Sequence, residues 1–278
     1  MIDRYAVLGN PVGHSQSPAI HALFAAQTGQ RLSYEAILAP RDGFAETLRR
    51  FIAAGGRGAN VTVPFKEEAW RLCDRRSSRA EAAGAVNTLS FVAGRIEGDN
   101  TDGAGLVRDI TVNLGLAIRD HCVVLLGAGG AARGVILPLL LEEPAALVIA
   151  NRTKDKALRL AAEFAALPGC AVGVRVSGCG LSDLSGHACD TVINATSAGL
   201  AGASLGLPDG LMAPGVLAYD LVYGRETPFM AAARTAGARV AGGLGMLVEQ
   251  AAESFFLWRG LRPETAPVLA QLRGAGAP

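Results

Sequence analysis

The sequence predicts an α/β fold in two domains, one of which is a doubly wound parallel sheet. Apolar runs typical of buried strands alternate with helical patterns along most of the 278 residues. A glycine turn at residues 127–132 separates one apolar run from the helix that follows it. A chain of this length, with 50% hydrophobic residues, can bury two modest cores. The alternation favours strands buried beneath helices.

Charge and composition exclude several classes of protein. With 26 basic and 25 acidic residues the net charge is +1, so we expect small-molecule partners, with neither nucleic acid nor a membrane among them. Charged residues interrupt each apolar stretch before the roughly 18 residues of a membrane span, and we expect a cytoplasmic protein. The 5 cysteines lack C-x-x-C spacing and indicate neither a disulfide framework nor a metal site.

The first polar loop follows a short apolar run at residues 5–8 and carries Ser15 and Ser17. The proline after Ser17 suits the first position of a helix, so Ser17 is a candidate for the helix cap. The alternative is that both hydroxyls contact a polyhydroxylated or carboxylate ligand at the end of the strand. His14 and His21 have no second ligand at metal-binding spacing, and we interpret both as structural.

A second group of polar residues lies at the end of another predicted strand. Strand and helix patterns at residues 33–52 are followed by β-branched alternation that ends at Pro64. Asn60, Thr62 and Lys66 therefore lie where open parallel sheets present ligand-binding groups. A lysine after a strand is usually a solvated surface charge. Lys66 becomes a proton donor or acceptor only if burial or a neighbour tunes its pKa.

The next segment predicts a hairpin and then a seam between the domains. Residues 85–91 and 95–97 are typical of paired strands. Asn87 lies among apolar neighbours and needs a hydrogen-bond partner from the protein or from a ligand. Turn-forming residues then precede a helical pattern. Either Thr101 or Asp102 caps that helix, or Asp102 is a functional carboxylate at the seam.

The glycine turn fits the pattern G-x-G-x-x-A. Gly127 allows the tight turn, Gly129 lets the backbone approach a pyrophosphate, and Ala132 lets the helix pack closely on the strand. A diphosphate would lie at the N-terminus of the following helix, against free N–H groups. Such a turn can be plain packing, but a strand before it, a helix after it and a second strand ending at Asn151-Arg152 favour a dinucleotide site.

The rest of the chain continues the alternation of apolar run and helix. Predicted strands at residues 170–176, 191–195 and 216–221 end in polar or small residues, as expected along the cofactor cleft of a doubly wound sheet. Residues 246–258 predict a helix on which Gln250 shares a largely apolar face. Gln250 either makes a packing hydrogen bond or contacts a ligand.

Several motifs occur in one order along the whole chain: GNPVGHSQSP, GANVTVPFK, GAVNTL, GDNTDGAG, GAGGAAR, NRT, NATSAGL and GLGMLVEQAAESFFLW. Together they resemble the shikimate dehydrogenase family. The resemblance implies an N-terminal α/β substrate domain (residues 1–104), a Rossmann-type NADP domain (residues 105–242) and a C-terminal helical segment (residues 243–278) that packs back on the first domain. It also implies reversible reduction of 3-dehydroshikimate to shikimate, with NADPH as cofactor, on the route to chorismate and the aromatic amino acids.

The resemblance also assigns site residues by matching positions. Lys66 and Asp102 resemble the family's catalytic pair, in which an ammonium beside the ketone stabilises charge on its oxygen and supplies the proton. The predicted substrate residues, with Asn60 included for its place at a strand end, are Ser15, Ser17, Asn60, Thr62, Asn87, Asp102, Tyr223 and Gln250. The predicted cofactor residues are Gly127, Ala128, Gly129, Gly130, Ala131, Asn151, Arg152, Thr153, Lys156, Thr196, Leu221 and Gly243.

The residues after the second predicted strand of the dinucleotide site favour NADP over NAD, while the substrate, the activity and the oligomeric state keep alternatives. Enzymes that use NAD usually place an acid after the second strand, whereas Asn151-Arg152 suits a phosphate on the ribose and favours NADP. One alternative is a relative that acts on quinate with NAD, and another is a non-catalytic regulatory relative, which the intact catalytic pair disfavours. Ser77-Ser78 stands where the resemblance implies an acid near the cofactor. A homodimer and a monomer both stay open.

Overall fold

Two six-stranded sheets form the framework of the protein. The structure, a computed structural model, describes residues 2–167 and 173–274. Helices follow most of the strands in both sheets, which confirms the α/β class predicted from the sequence. Among the described residues, no helix is both long enough and apolar enough to cross a membrane.

The first sheet mixes parallel and antiparallel pairs. Its strands are β1 (Asp3–Gly9), β2 (Leu32–Leu38), β3 (Gly56–Val61), β4 (Arg75–Arg76), β5 (Thr88–Val92) and β6 (Arg95–Asp99), in the order β2-β1-β3-β5-β6-β4. Its helices are α1 (Ser17–Thr28), α2 (Phe44–Ala53), α3 (Lys66–Leu72) and α4 (Ser78–Ala83). Strand β1 is parallel to β2 and β3, whereas β5 is antiparallel to β3 and β6. The antiparallel β5–β6 pair confirms the predicted hairpin.

The second sheet is parallel throughout its described pairs. Its strands are β7 (Cys122–Leu126), β8 (Ala146–Asn151), β9 (Arg175–Gly180), β10 (Thr191–Asn194), β11 (Leu217–Asp220) and β12 (Arg239–Gly242). Its helices are α6 (Gly130–Leu141), α7 (Lys154–Ala165) and α8 (Pro228–Thr235). The order β12-β11-β10-β7-β8-β9, counted from β7, is the 3-2-1-4-5-6 order of a Rossmann sheet. Strands β7 and β8 are continuous apolar runs because both faces of a parallel sheet are buried.

Two helices connect the halves. Helix α5 (Asp102–Arg108), which continues in a π-helical turn, packs closely on α9 (Leu244–Arg259), since a Cβ built on Gly105 would lie 2.7 Å from the backbone nitrogen of Gln250. Helix α9 then returns to the first sheet, where Trp258 stacks on Tyr5 with 4.6 Å between ring centroids. The last helix is α10 (Ala266–Gly274). The predicted return of the C-terminal segment is confirmed, while the domain limits at residues 104 and 242 stay a prediction.

Two local predictions differ from the structure. The strand expected at residues 170–176 is β9, which begins at Arg175 because its register is set by pairing with Ala146 of β8. Residues 170–172 of that prediction lie outside the described residues. The prediction that Ser17 caps α1 is wrong, since Ser17 is the first helical residue and makes no side-chain cap bond. Its own N–H donates to the hydroxyl of Ser15 (3.3 Å).

Candidate active site

A cavity of about 520 Å³ lies between the two sheets, beside the loops that follow β1, β3 and β11. The carboxyl ends of parallel strands are where α/β sheets bind ligands. Each predicted substrate residue lines this cavity: Ser15, Ser17, Asn60, Thr62, Asn87, Asp102, Tyr223 and Gln250. Lys66 lines it as well. The fold therefore brings residues from widely separated segments of the chain to one space.

Lys66 and Asp102 form an ion pair at the wall of the cavity. Lys66 begins α3 and Asp102 begins α5, and the distance from Nζ to Oδ2 is 2.5 Å. The side chain of Lys66 is 28% exposed and that of Asp102 is 13% exposed, so water shields the pair only in part. An ammonium held in this way can stabilise a developing oxyanion and donate a proton to it. Lys66 is thus not the solvated surface charge that such a position usually holds.

Asn87 fixes the carboxylate of Asp102 from the other side. Its Nδ2 donates to Asp102 Oδ1 (2.8 Å), and its Oδ1 accepts the backbone N–H of Thr101 (2.8 Å). A carboxylate accepts and a backbone N–H donates, so the amide of Asn87 has one orientation. Thr101 holds the N-cap position of α5 without a side-chain cap bond. Neither proposed cap therefore caps α5 through its side chain: Asp102 lines the cavity, and the buried Thr101 hydroxyl accepts from Asn87 Nδ2 (3.0 Å).

A buried polar network lies behind Asn87 and was missed by the sequence reasoning. Asn60 Nδ2 donates to Ser254 Oγ (3.0 Å) and Thr88 Oγ1 (3.1 Å), and Asn60 Oδ1 accepts from the Tyr34 hydroxyl (2.7 Å). Asn60 is 6% exposed, Thr88 is 1% exposed and Ser254 is fully buried. Satisfied buried networks of this kind stiffen a structure. The available sequence signal was the hydroxyl of Ser254 on the same helical face as Gln250.

The two predicted histidines differ in their surroundings. His14 is exposed and lines the cavity. It therefore lies at the site, whereas the sequence predicted a structural role for it. His21 is fully buried, and its ring stacks on Tyr34 with 4.2 Å between centroids. Burial lowers the pKa of His21 to about 3, because a charged imidazole would lose its hydration. His21 is therefore neutral at physiological pH and packs as a structural ring.

Tyr223 and Gln250 complete the wall from the second half and from α9. Burial raises the pKa of the Tyr223 hydroxyl, so it stays protonated and can donate. Gln250 Oε1 lies 3.3 Å from Asn87 Nδ2, and Gln250 Nε2 donates to the carbonyl of Leu247 (2.9 Å). Gln250 thus makes a packing hydrogen bond within α9, which was one prediction. It also lines the cavity, as the alternative prediction of a ligand contact requires.

The glycine turn after β7 presents an open anion site. Gly127 has φ of +114°, a conformation that favours glycine, and its N–H donates to the carbonyl of Ala150 (2.8 Å). Helix α6 begins at Gly130 with Gly129 as its N-cap, so its first N–H groups have no intrahelical partner. A Cβ built on Gly129 or Gly130 would meet no described atom within 4 Å. The turn therefore has room for a diphosphate and fits a dinucleotide.

The predicted cofactor residues divide into two groups. Ala131, Leu221 and Gly243 line the cavity beside the substrate residues. The remaining predicted residues lie outside the cavity lining and are Gly127, Ala128, Gly129, Gly130, Asn151, Arg152, Thr153, Lys156 and Thr196. Arg152, Thr153 and Lys156 are exposed beyond the end of β8. An exposed guanidinium at that place fits a phosphate on the ribose. Among the described residues, no cluster of three His, Cys, Asp or Glu side chains suits a metal.

Ser77, which stands where an acid was implied, has a structural role. Its hydroxyl accepts the N–H of Ala80 (3.2 Å) at the start of α4 and donates to Asp99 Oδ1 (2.5 Å). Asp99 also accepts two bonds from the Arg79 guanidinium, from Nε to Oδ1 (2.6 Å) and from Nη2 to Oδ2 (2.9 Å). The serine therefore joins α4 to β6.

Family models match three parts of the chain. Residues 7–89 match the shikimate dehydrogenase substrate binding domain. Residues 111–201 match the family described as shikimate / quinate 5-dehydrogenase. Residues 243–273 match the shikimate 5'-dehydrogenase C-terminal domain. The matches follow the same order as the halves and the returning helix of the structure.

Curated relatives and solved structures agree with the family models. The chain is 61% identical over 275 residues to the shikimate dehydrogenase (NADP(+)) of Dechloromonas aromatica, covering 98% of each chain. It is 62% identical over 274 residues to the enzyme of that name from Aromatoleum aromaticum, covering 98% of this chain and 97% of the relative. The crystal structure of shikimate 5-dehydrogenase from Thermus thermophilus, in complex with NADP(H) and shikimate, superposes with a TM-score of 0.85 at 36% identity. That superposition covers 99% of this chain and 100% of the other.

Proposed function

We infer the function from one premise: the chain belongs to the shikimate dehydrogenase family. It catalyses the reversible, NADP-dependent reduction of 3-dehydroshikimate to shikimate, on the route to chorismate and the aromatic amino acids. It is therefore an oxidoreductase acting on a CH–OH group. The observation that carries this conclusion is a cavity that unites Lys66 and Asp102 at 2.5 Å in a chain 61% identical to such an enzyme.

The cavity supports a division of roles among its polar residues. Ser15 and Ser17 bind the carboxylate of the substrate, because Ser15 in the loop after β1 and Ser17 at the start of α1 both line the cavity, and Ser17 is not used as a helix cap. Asn87, Asp102 and Gln250 face the ring hydroxyls of shikimate from the opposite wall. Thr62 and Tyr223 complete the pocket, and Asn60 supports it from behind through its bonds to Ser254 and Thr88.

Lys66 and Asp102 handle the proton of the reaction. Bound NADPH supplies the hydride that reduces the ketone carbon. The ammonium of Lys66 stabilises the negative charge that develops on the ketone oxygen and donates a proton to that oxygen. Asp102 holds Lys66 through Oδ2 while Asn87 holds Oδ1, so the ammonium has a fixed direction before the substrate arrives. In the oxidative direction the same pair takes the proton from the hydroxyl.

Two parts of the second half hold the cofactor. The backbone N–H groups of residues 129–131, at the start of α6, bind the diphosphate, and Leu221 and Gly243 border the nicotinamide side of the cavity. Arg152, with Thr153 and Lys156 beside it, binds the phosphate on the adenosine ribose. Arg152 supplies a planar, permanently charged fork there, whereas an enzyme for NAD would present an acid to the ribose hydroxyls.

The organisation of the chain follows from the same assignment. Residues 1–104 form the substrate domain, residues 105–242 form the NADP domain, and residues 243–278 return to the first.

A biosynthetic role and a net charge of +1 support a location in the cytoplasm. Sedimentation of the purified protein decides between a monomer and a homodimer.

Identification of the product tests the function directly. Purified protein is incubated with shikimate and NADP, and both the reduced cofactor and the organic product are quantified. The expected result is 3-dehydroshikimate formed in equal amount to NADPH. Absence of product with an intact, folded protein contradicts the assignment. Omission of shikimate is the matched control, because it leaves any other NADP reduction visible.

A further inference from the structure

Asn100 is a buried side chain directly before the helix that carries Asp102. It is 1% exposed, and it does not line the cavity. Its Oδ1 accepts the backbone N–H of Asp102 (3.2 Å), and its Nδ2 donates to the carbonyl of Ala85 (3.0 Å). An N–H donates and a carbonyl accepts, so these two partners fix the orientation of the amide. Asn100 thus ties the first turn of α5 to the segment that leads into Asn87.

Helix α6 supports Asn100 from the cofactor side. A Cβ built on Gly134 would lie 3.3 Å from Asn100 Nδ2 and 3.4 Å from its Oδ1. At the same crossing, a Cβ built on Gly103 of α5 would lie 2.6 Å from the carbonyl oxygen of Gly134. Helices α5 and α6 therefore touch through glycines, and the absent side chain of Gly134 makes the space that the Asn100 amide occupies.

The segment before Asn87 is also held by α6. Arg133 donates through Nε to the carbonyl of Ala83 (3.1 Å) and through Nη2 to the carbonyl of Ala82 (3.2 Å). Together with the bond from Asn100 to Ala85, three carbonyls of residues 82–85 have partners on α6 or on Asn100, just before α5. The helix that begins at the diphosphate turn thereby contacts the backbone that places Asn87 beside Asp102.

We propose that Asn100 is a positioning residue for the Lys66–Asp102 pair. Its amide lies against α6 at Gly134, where the missing side chain leaves room for it. The proposal rests on the function proposed above. Asn100 acts through the backbone of Asp102, whose carboxylate must reach Lys66 and Asn87 together. A misplacement of about 1 Å in such a constellation can cost about a hundredfold in rate. Because Asn100 touches no predicted ligand-binding space, its loss should change kcat more than affinity.

The first test replaces Asn100 itself. Asn100→Ala is expected to lower kcat by about tenfold to a hundredfold, with the KM for NADP within about twofold of the wild type. The matched control is Asn113→Ala, which removes an asparagine that bonds Asp109 and Glu249 at 2.9 Å each, farther along the same helical segment. That control should keep the kcat of the wild type. Equal losses in both variants would point to general loosening and overturn the positioning role.

The second test leaves Asn100 unchanged and alters Gly134, the residue of α6 beside its amide. Gly134→Ala places a methyl group 3.3 Å from the amide, which must shift by a few tenths of an ångström. Alanine favours a helix more than glycine does by up to about 1 kcal/mol, which offsets the cost of that shift, so the melting temperature should change little. A fall in kcat of about threefold or more at a nearly unchanged melting temperature is the expected result. A purely structural role of Asn100 would not separate activity from stability in this way.

The outcomes distinguish the two proposals. Wild-type protein that does not oxidise shikimate with NADP contradicts the proposed function, and the role of Asn100 with it. Wild-type turnover with an unchanged kcat in Asn100→Ala contradicts the positioning role alone. If Asn100→Ala does not fold, Gly134→Ala decides: a lower kcat at equal stability supports the role, and an unchanged kcat overturns it.

Discussion

Lys66→Met is the substitution that bears most directly on the chemistry. Methionine keeps the length and apolar stem of lysine but removes the ammonium, so Asp102 loses the partner on Oδ2 and keeps Asn87 on Oδ1. General acid–base groups contribute about a hundredfold to ten-thousandfold in rate, which corresponds to roughly 2.7–5.4 kcal/mol in the barrier. We expect kcat to fall by at least about a hundredfold.

Stability and affinity should change much less. The Lys66 side chain is 28% exposed, but Asp102 is 13% exposed and keeps Asn87 as a partner, so loss of the ammonium should cost about 1–3 kcal/mol in the free energy of unfolding. The proposed carboxylate contacts of Ser15 and Ser17 remain, and the KM for shikimate should therefore rise by only a few-fold. A large fall in kcat with a nearly unchanged KM is the signature of a proton-transfer group.

Steady-state kinetics with shikimate and NADP, together with chemical denaturation, measure these quantities. Arg71→Met is the matched control, because Arg71 lies on the same helix and forms an ion pair with Glu67 at 3.5 Å but is 65% exposed. The control should keep both kcat and KM. An undiminished kcat in Lys66→Met would remove Lys66 from the mechanism, and an equal loss in Arg71→Met would assign the effect to α3 as a whole.

Three further predictions concern the cofactor and two buried side chains. Arg152→Asp should lower kcat/KM for NADP by about tenfold to a hundredfold relative to NAD, since a charge-assisted bond contributes about 1.5–3 kcal/mol, and an unaltered ratio would contradict its assignment. Burial raises the pKa of Glu253, but bonds from Arg262 and Arg79 outweigh it and the net pKa is lowered. Glu253→Gln should therefore destabilise the protein at pH 7 in denaturation curves, with a difference that shrinks as the pH falls below about 4.5; a constant difference would refute this. Burial lowers the pKa of His21 to about 3, so the unfolded chain takes up a proton below about 6.5 that the folded chain does not. His21→Phe should remove that fall in stability between about pH 6 and pH 4, and an identical pH dependence would refute it.

The second sheet was predictable because its signals are local. A parallel sheet buries both faces of its central strands, so β7 and β8 appear in the sequence as continuous apolar runs. The turn between β7 and α6 needs a residue with positive φ at Gly127, and glycine marks that position. Polar residues after strand ends predicted where the cavity lies, since the carboxyl ends of parallel strands meet at one edge.

Contacts across long sequence separations could not be predicted from local patterns. Lys66 and Asp102 are separated by 36 positions, and in the sequence the resemblance to a family is what pairs them. Asn60 and Ser254 are separated by 194 positions, and neither residue carries a local sign of the other. Ser17 satisfied every local rule for a helix cap, yet Ser15 accepts its N–H instead. For Lys66 and Asn60 tertiary packing decides the role of the side chain, whereas the contact between Ser15 and Ser17 is local.

A comparison of kcat/KM for four pairs, shikimate or quinate with NADP or NAD, tests the central claim most directly. Shikimate with NADP should exceed each of the other pairs by at least about tenfold, since each wrong partner loses or misplaces at least one charge-assisted or buried hydrogen bond. Equal or higher efficiency with NAD would contradict the cofactor assignment, and equal or higher efficiency with quinate would contradict the substrate assignment.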